Sequence, residues 1–338
     1  MDAKTERRQR LVEIFEDTQN FYEQNTQLAN AVQAAKNATK LYDPEDYPEI
    51  SELAQESARE AGQEAGQEPV KETAKDPDKK QTGSLLKITK HKTFQAAMEI
   101  HSSNPTWKIA VLNFASATNP GGGVRTGSSA QEESLCRCST LYPTLTQDWL
   151  WRDYYKKNRD AHDNLHTDAC IYSPNIIICK TDEDYPSRMP EKDWVRVDVI
   201  TCAAPNLRQR PGNMHNPAAG VKAVSVKPEE LYELHLRRAK HIMHIAAAHG
   251  VDALILGAFG CGAFANDPNV VARAYRDALT TPRTSYGAND GINYGSYFKL
   301  IEFAIYCRAH ETENYDAFKR AFQAGTTSQG SPLKRTSI

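Results

Sequence analysis

The sequence predicts an α/β fold in which a mixed or parallel sheet is covered by helices on both faces. Three observations carry this. From residue 83 onward, short apolar runs alternate with amphipathic helical stretches. Two of those runs, at 108–112 and 251–256, lead directly into glycine-rich turns. Pro228 to His249 reads as a long helix, with proline in its first turn and Gly250 just past its end.

Taken in order, residues 5–36 are polar with apolar punctuation at Leu11, Val12, Ile14, Phe15, Phe21 and Tyr22. That spacing predicts an amphipathic helix docked on the main body. Residues 54–82 lack aromatics and, apart from Val70, branched aliphatics such as those that fill the later strands. A stretch of this kind buries too little to offset the entropy of ordering, so a disordered linker or insertion is expected. The expected division is therefore an accessory helical region at 1–53, the linker at 54–82, one α/β domain at 83–325 and a flexible tail at 326–338. Within the domain, Thr93 to Ile100 reads as a helix and Ile109 to Leu112 as a buried strand. Trp149 to Lys157 reads as helix or surface loop. Ile171 to Cys179 reads as two extended pieces broken by Pro174, and Val195 to Ala203 as a core strand. Residues 206–222 hold Pro and Gly and read as loop. Val251 to Leu256 is a further strand. Asn266-Asp267-Pro268 supplies a cap and an N-terminal proline for a helix running to about Leu279. Phe298 to Tyr306 is the last strand, and Tyr315 to Ala324 the last helix.

The bulk numbers exclude several classes. The chain has 338 residues, 40% of them hydrophobic, and a formal charge of -2. That is enough for a sizeable core and lacks the basic footprint of a general nucleic-acid binder. No apolar run reaches the ~18 residues of a membrane span. The charged start, Met1 to Arg10, lacks the apolar core of a secretory signal. Seven scattered cysteines without a CxxC pair fit a reducing compartment, cytoplasmic or nuclear, and argue against a zinc module.

Two loops carry the chemistry. After the strand at 108–112 come Asn119-Pro120, Gly121-Gly122-Gly123, Val124 and then Gln131-Glu132-Glu133. Successive glycines let a ligand lie against bare peptide groups. Neighbouring glutamates on a helix point about 100° apart, so they cannot form a symmetric pair. A division of labour suits them: one carboxyl donates a proton to a leaving oxygen while the other orients a sugar, as glycoside cleavage requires. A solvated acidic helix start is the competing reading. The second loop, Gly257 to Phe264, joins a strand to a helix N-terminus with the spacing GxxGxG. It suits either an anion site or a tight strand-to-helix turn. His235, His241, His244 and His249 share the long helix and read as structural. Cys261 reads as a small residue in a tight turn, not a nucleophile. Phe259 reads as core, Phe264 as a stacking candidate, Tyr306 as a guess for the base, and Arg125 as either phosphate ligand or surface.

Gly121-Gly122-Gly123 followed by Gln131-Glu132-Glu133 resembles the GGG…QEE signature of the bacterial-type (microbial) poly(ADP-ribose) glycohydrolases. Leu112 to Pro120, Leu135 to Tyr142, Tyr172-Ser173-Pro174, Val197 to Asn206 and Gly257 to Phe264 resemble that family in its usual order. The likeness spans most of 85–322. It implies a macrodomain-like three-layer α/β/α fold with a mixed central sheet and N-terminal accessory helices. It implies Glu133 as the catalytic acid and Glu132 as its partner at the ribose. The implied substrate-binding set is Asn119, Gly121, Gly122, Gly123, Val124, Gln131, Gly260, Cys261, Gly262, Ala263 and Phe264. The implied reaction hydrolyses the ribose–ribose bond at polymer ends and releases ADP-ribose, with no metal and no cofactor. A mono-ADP-ribosyl hydrolase and a non-catalytic ADP-ribose reader are the alternatives. The expected partners are poly(ADP-ribose) or ADP-ribosylated proteins, with no membrane, no sequence-specific nucleic acid and a monomeric chain.

Overall fold

The structure is a computed structural model, and it describes residues 2–65, 85–212, 223–282 and 293–324. Seven strands form one mixed sheet: β1 Lys40–Tyr42, β2 Leu85–Thr89, β3 Ile109–Ala115, β4 Cys170–Ile178, β5 Val195–Ala203, β6 Ala253–Leu256 and β7 Leu300–Ala304. Their spatial order is β1-β4-β5-β3-β6-β7-β2. The β1/β4 and β4/β5 pairs are antiparallel, and the remaining pairs are parallel. Side-chain alternation along each strand separates two cores. Ala110, Leu112, Ile200, Cys202, Leu254, Leu256, Ile301 and Phe303 pack on one face, against the helices Pro228–Ala248, Pro268–Thr280 and Glu313–Ala324. Ile109, Val111, Val197, Val199, Ala253, Ile255 and Leu300 pack on the other, with the helices Thr93–Ser103 and Gln131–Cys138. This is the macrodomain-like three-layer arrangement expected from the sequence.

Several boundaries differ from expectation. The stretch 5–36 forms two helices, Ala3–Gln24 and Thr26–Ala38. Asn25 divides them. Its N–H closes the first helix on the Phe21 carbonyl at 3.1 Å, and its side chain caps the second by accepting from Leu28 N at 3.0 Å. The linker expected from residue 54 is corrected at its start, because Glu52–Ala65 is helical. Ala58 is buried there, and Gln55 Nε2 donates to the Ile50 carbonyl at 2.7 Å. Inward packing of Ala54 and Ala58 and a local side-chain hydrogen bond are enough to order a segment whose composition reads as unstructured. Residues 66–84 and the tail at 326–338 lie outside the described residues. The two pieces expected at 171–179 are one strand with a register shift between Ser173 and Ile176, where Asn175 takes φ 56°. Short edge strands β1 and β2 were not legible. Since β1 comes from the accessory region, that region is part of the sheet and not a separate appendage.

The first helix docks through Leu11, Phe15, Thr18 and Tyr22. Phe15 meets Tyr142 edge-on at 4.9 Å, and Thr18 Oγ1 donates to the Arg137 carbonyl at 2.6 Å. Its backbone also lies against Gly127, which has φ 71°; a Cβ there would overlap the Arg8 carbonyl. Neither atom belongs to a flexible side chain. Gly127→Ala is therefore expected to lower unfolding stability by roughly 1–3 kcal/mol, combining left-handed strain with a displaced helix. Urea denaturation with matched m-values checks it; a midpoint unchanged from the parent would contradict the packing.

Candidate active site

A cleft of about 760 Å³ opens at the carboxyl ends of the parallel strands, where ligands of open α/β sheets are held. Its walls come from the segments that follow β3, β6 and β7, and from the first helix. The chain leaves β3 at Ala115, turns back through the three glycines and re-enters regular structure at Gln131, so Glu132 and Glu133 occupy the first turn of the helix Gln131–Cys138. Both side chains are buried, at 3% and 7% exposure, which rules out the solvated helix start.

Backbone amides hold them there. Glu132 Oε2 accepts from Ser116 N at 2.7 Å, and its Oε1 accepts from Gly121 N at 3.2 Å and lies 3.4 Å from Asn113 Nδ2. Glu133 Oε1 accepts from Gly123 N at 2.8 Å. Glu133 Oε2 is buried without a hydrogen-bond partner. Burial, and then the charge of Glu133, push the Glu132 carboxyl well above the ordinary carboxylate range, against the three donors that favour its ionised form. Gly122 sits between the two: a Cβ on it would lie 2.5 Å from Glu133 Oε1 and 3.1 Å from Glu132 Oε2, and its φ is 60°. Only glycine lets the loop close over both carboxylates.

The remaining amides of the first loop are also used. Gly122 N donates to the Asn119 carbonyl, Val124 N to Gly121 and Ser128 N to Gly123. The second loop is different. The amides of Gly260, Gly262, Ala263 and Phe264 donate to no acceptor among the described residues, while the carbonyls that shape the turn are bound from inside. Asn266 Nδ2 donates to the Pro205 carbonyl at 2.7 Å and the Gly260 carbonyl at 3.0 Å, and Asn266 Oδ1 lies 2.9 Å from His235 Nε2. The turn thus presents unpaired N–H groups at the head of the helix Pro268–Thr280, an arrangement suited to an anion. Arg208 lies over the Phe264 ring at 5.5 Å.

Of the residues singled out in the sequence, Asn119, Gly122, Gly123, Gln131, Glu132, Glu133, Gly260, Gly262, Ala263 and Phe264 line this one cleft, with Tyr306 at its exposed rim. Gly121, Val124 and Cys261 do not line it. Gly121 serves Glu132 from beneath, and Val124 is an apolar core residue at 1% exposure. Burial pushes the Cys261 thiol far up, consistent with an unreactive residue in a tight turn. Gln131 borders the cleft, but its amide is committed: it accepts from Phe114 N and donates to the Leu112 carbonyl and Thr93 Oγ1. Arg125 is exposed and bonded to Tyr142 OH at 2.7 Å, and Phe259 is fully buried. The helix histidines are structural: His241 meets the carbonyls of Asp168 and Asp46, His244 that of Pro48, and His249 stacks on Tyr172. Among the described residues no group of three or more His, Cys, Asp or Glu could hold a metal, and no helix is long and apolar enough to cross a membrane. Sequence reasoning missed Asn113, Ser116, Arg208 and the role of Asn266, along with the pairing that ties Asn266 to His235. Only Asn266 carried a local signal, as the start of Asn-Asp-Pro, and that signal pointed to a helix cap.

A buried carboxylate pair and an anion turn on a macrodomain-like sheet define a class of sugar-phosphate-handling α/β proteins. The family described as microbial-type PARG, catalytic domain, matches residues 9–181, more than half of the chain, and the chain belongs to that family. Solved structures agree. The poly(ADP-ribose) glycohydrolase of Thermomonospora curvata is 28% identical with a TM-score of 0.67, covering 92% of this chain and 98% of its own. The same enzyme bound to the inhibitor ADP-HPD is 27% identical with a TM-score of 0.65, over 92% of this chain and 98% of its own. The enzyme of Deinococcus radiodurans in complex with ADP-ribose is 30% identical with a TM-score of 0.60, over 87% of this chain and 97% of its own. No curated protein matches the chain.

Two outcomes follow from this geometry. Gly122→Ala should cut turnover about tenfold or more by displacing the Glu133 carboxylate, measured as kcat/KM on folded protein; full activity would contradict the close approach. His235 is held at about 4, first by burial, and its Nδ1 has no partner to receive a second proton. Its pKa is thus depressed below the ordinary value, so the native state binds fewer protons than the unfolded chain between about 4 and 6.5. Its contribution is fully present above about 6.5 and is lost as pH falls toward 4, up to roughly 3 kcal/mol. Denaturation from pH 7 to 4 should show a shallower decline for His235→Gln than for the parent.

Proposed function

We propose that this chain is a poly(ADP-ribose) glycohydrolase that hydrolyses the ribose–ribose glycosidic bond at polymer ends and releases ADP-ribose. The observation that carries the reading is the unpartnered, buried Glu133 Oε2, facing the same cleft as four unpaired amides of the second glycine turn. The turn suits the diphosphate of a terminal ADP-ribose. With that group seated, the attached ribose lies toward the carboxylates. Gly123 N–H already occupies Glu133 Oε1, so Oε2 is the oxygen to carry a proton to the leaving 2′-oxygen. Glu132, fixed by backbone donors, orients the ring through hydrogen bonds to the sugar hydroxyls. Water then completes the hydrolysis. The same placement of acid and sugar-orienting carboxylate is what the resemblance implied for Glu133 and Glu132.

Glu133→Gln keeps the Gly123 contact and removes the transferable proton. It should leave the ADP-ribose Kd within about twofold and lower kcat by roughly 10²–10⁴. Product analysis on poly(ADP-ribose) and on mono-ADP-ribosylated protein, with parent and variant side by side, checks it. Binding without turnover by the parent would make the chain a reader. Turnover of the mono-linked substrate alone would make it a mono-ADP-ribosyl hydrolase. An undiminished variant would remove Glu133 from the role.

A further inference from the structure

The cleft contains more cationic side chains than a single ADP-ribose accounts for. The first helix presents Lys4, Arg7, Arg8 and Leu11 to it, a spacing of three, four and seven residues that places all four on one helical face. Leu11 is buried and anchors the helix; Lys4 and Arg8 are exposed and Arg7 half-buried. Among the described residues none of the three forms a close salt bridge, although Arg7 acts on Asp184 and Lys4 on Asp2 at longer range. The helix that carries them is held against the cleft, because the Arg8 backbone lies against Gly127 with no room for a Cβ between them.

Two further cations approach from other elements. Lys92, just before the helix Thr93–Ser103, is 3.1 Å from Asp184, and Arg308 follows β7. Lys92, Arg7 and Arg308 all act on the carboxylate of Asp184, so three positive charges surround one negative charge on this wall. Asp182 is buried and already satisfied from within, accepting from Phe94 N and Ser134 Oγ. Glu183 is exposed and bonded to Thr181, and Arg308 also lies 3.6 Å from Glu311. The wall retains an excess of positive charge contributed chiefly by Lys4, Arg7 and Arg8.

The diphosphate of a bound terminal unit is already matched by the second glycine turn. We infer that the basic face of the first helix is a second subsite, which binds the diphosphate of another unit of the same polymer. The inference rests on the proposed poly(ADP-ribose) activity and deepens it: the cleft recognises at least two linked units, and the accessory helix confers preference for polymer over single ADP-ribose groups. A nucleic-acid backbone is the competing occupant of such a face, but the cations open into the same cleft as the carboxylates and not onto a separate surface.

The test uses the full chain carrying Glu133→Gln, so that substrate persists. Affinity for ADP-ribose is compared with affinity for a purified poly(ADP-ribose) oligomer of several units, with and without Lys4→Ala/Arg7→Ala/Arg8→Ala. The oligomer should bind about tenfold more tightly than ADP-ribose, with a steeper salt dependence. The triple substitution should remove most of that advantage and flatten the salt slope, leaving the ADP-ribose Kd within about twofold. An oligomer advantage that is absent, or that survives the substitution, overturns the subsite. An equal loss of ADP-ribose binding overturns it too, by assigning these cations to the terminal unit. Competition by single-stranded RNA at equal phosphate concentration, as strong as by unlabelled oligomer, also overturns it. Failure of the enzymatic reading is seen separately, as no release of ADP-ribose by the chain with Glu133 intact.

Discussion

The structure depends on the capture of two adjacent carboxylates by peptide N–H groups. Burying a carboxylate is costly unless hydrogen bonds replace its water. Here Ser116, Gly121 and Gly123 supply those bonds from a loop that begins where β3 ends. Donor and acceptor define each other: Gly121 and Gly122 turn left-handed so that the amides of Gly121 and Gly123 converge, and the glutamates must sit in a helix's first turn to receive them. Burial of the pair raises the energy of the doubly ionised form, and the upward shift falls on the Glu132 carboxyl.

The two glycine segments therefore do different work. The first spends its amides on its own turn and on Glu132 and Glu133. The second leaves the amides of Gly260, Gly262, Ala263 and Phe264 without an acceptor among the described residues, while Asn266, itself set by His235, binds the Gly260 carbonyl from behind. A loop that holds catalytic groups needs internal saturation, whereas a loop that holds an anion needs vacant donors. Similar composition gives opposite hydrogen-bond states because the surroundings differ. Beside the first loop are carboxylates; beside the second is the cleft.

The strand and helix pattern was legible because it is local. Alternating apolar runs named the central strands, and Asn-Asp-Pro and Gly250 marked helix ends. The edge strands β1 and β2 were not; each is held by a single partner strand, β4 or β7. Glu133 was set apart from Glu132 only by the family resemblance, and its burial was not legible at all, because that depends on a loop folding back across ten positions. The sequence also treated all the loop residues alike. Only coordinates separate Gly122, which lies over the carboxylates, from Val124, which is core, and Gln131, whose amide ties β3 to the helix that follows. Asn266 and His235 lie 31 residues apart, beyond the reach of any local motif.

The strand β1 has a further effect. It pairs along the outer side of β4, with Lys40 opposite Tyr172 and Tyr42 opposite Cys170. The helices just before it cover Ile177 and Cys179. Without the first fifty residues, β4 would present an open row of amides and carbonyls beside uncovered apolar side chains, a template on which another molecule's strand could add. The segment that reads as an appendage is thus also a guard against self-association, and a shortened chain would reveal its loss first as poor solubility, before any change in the reaction.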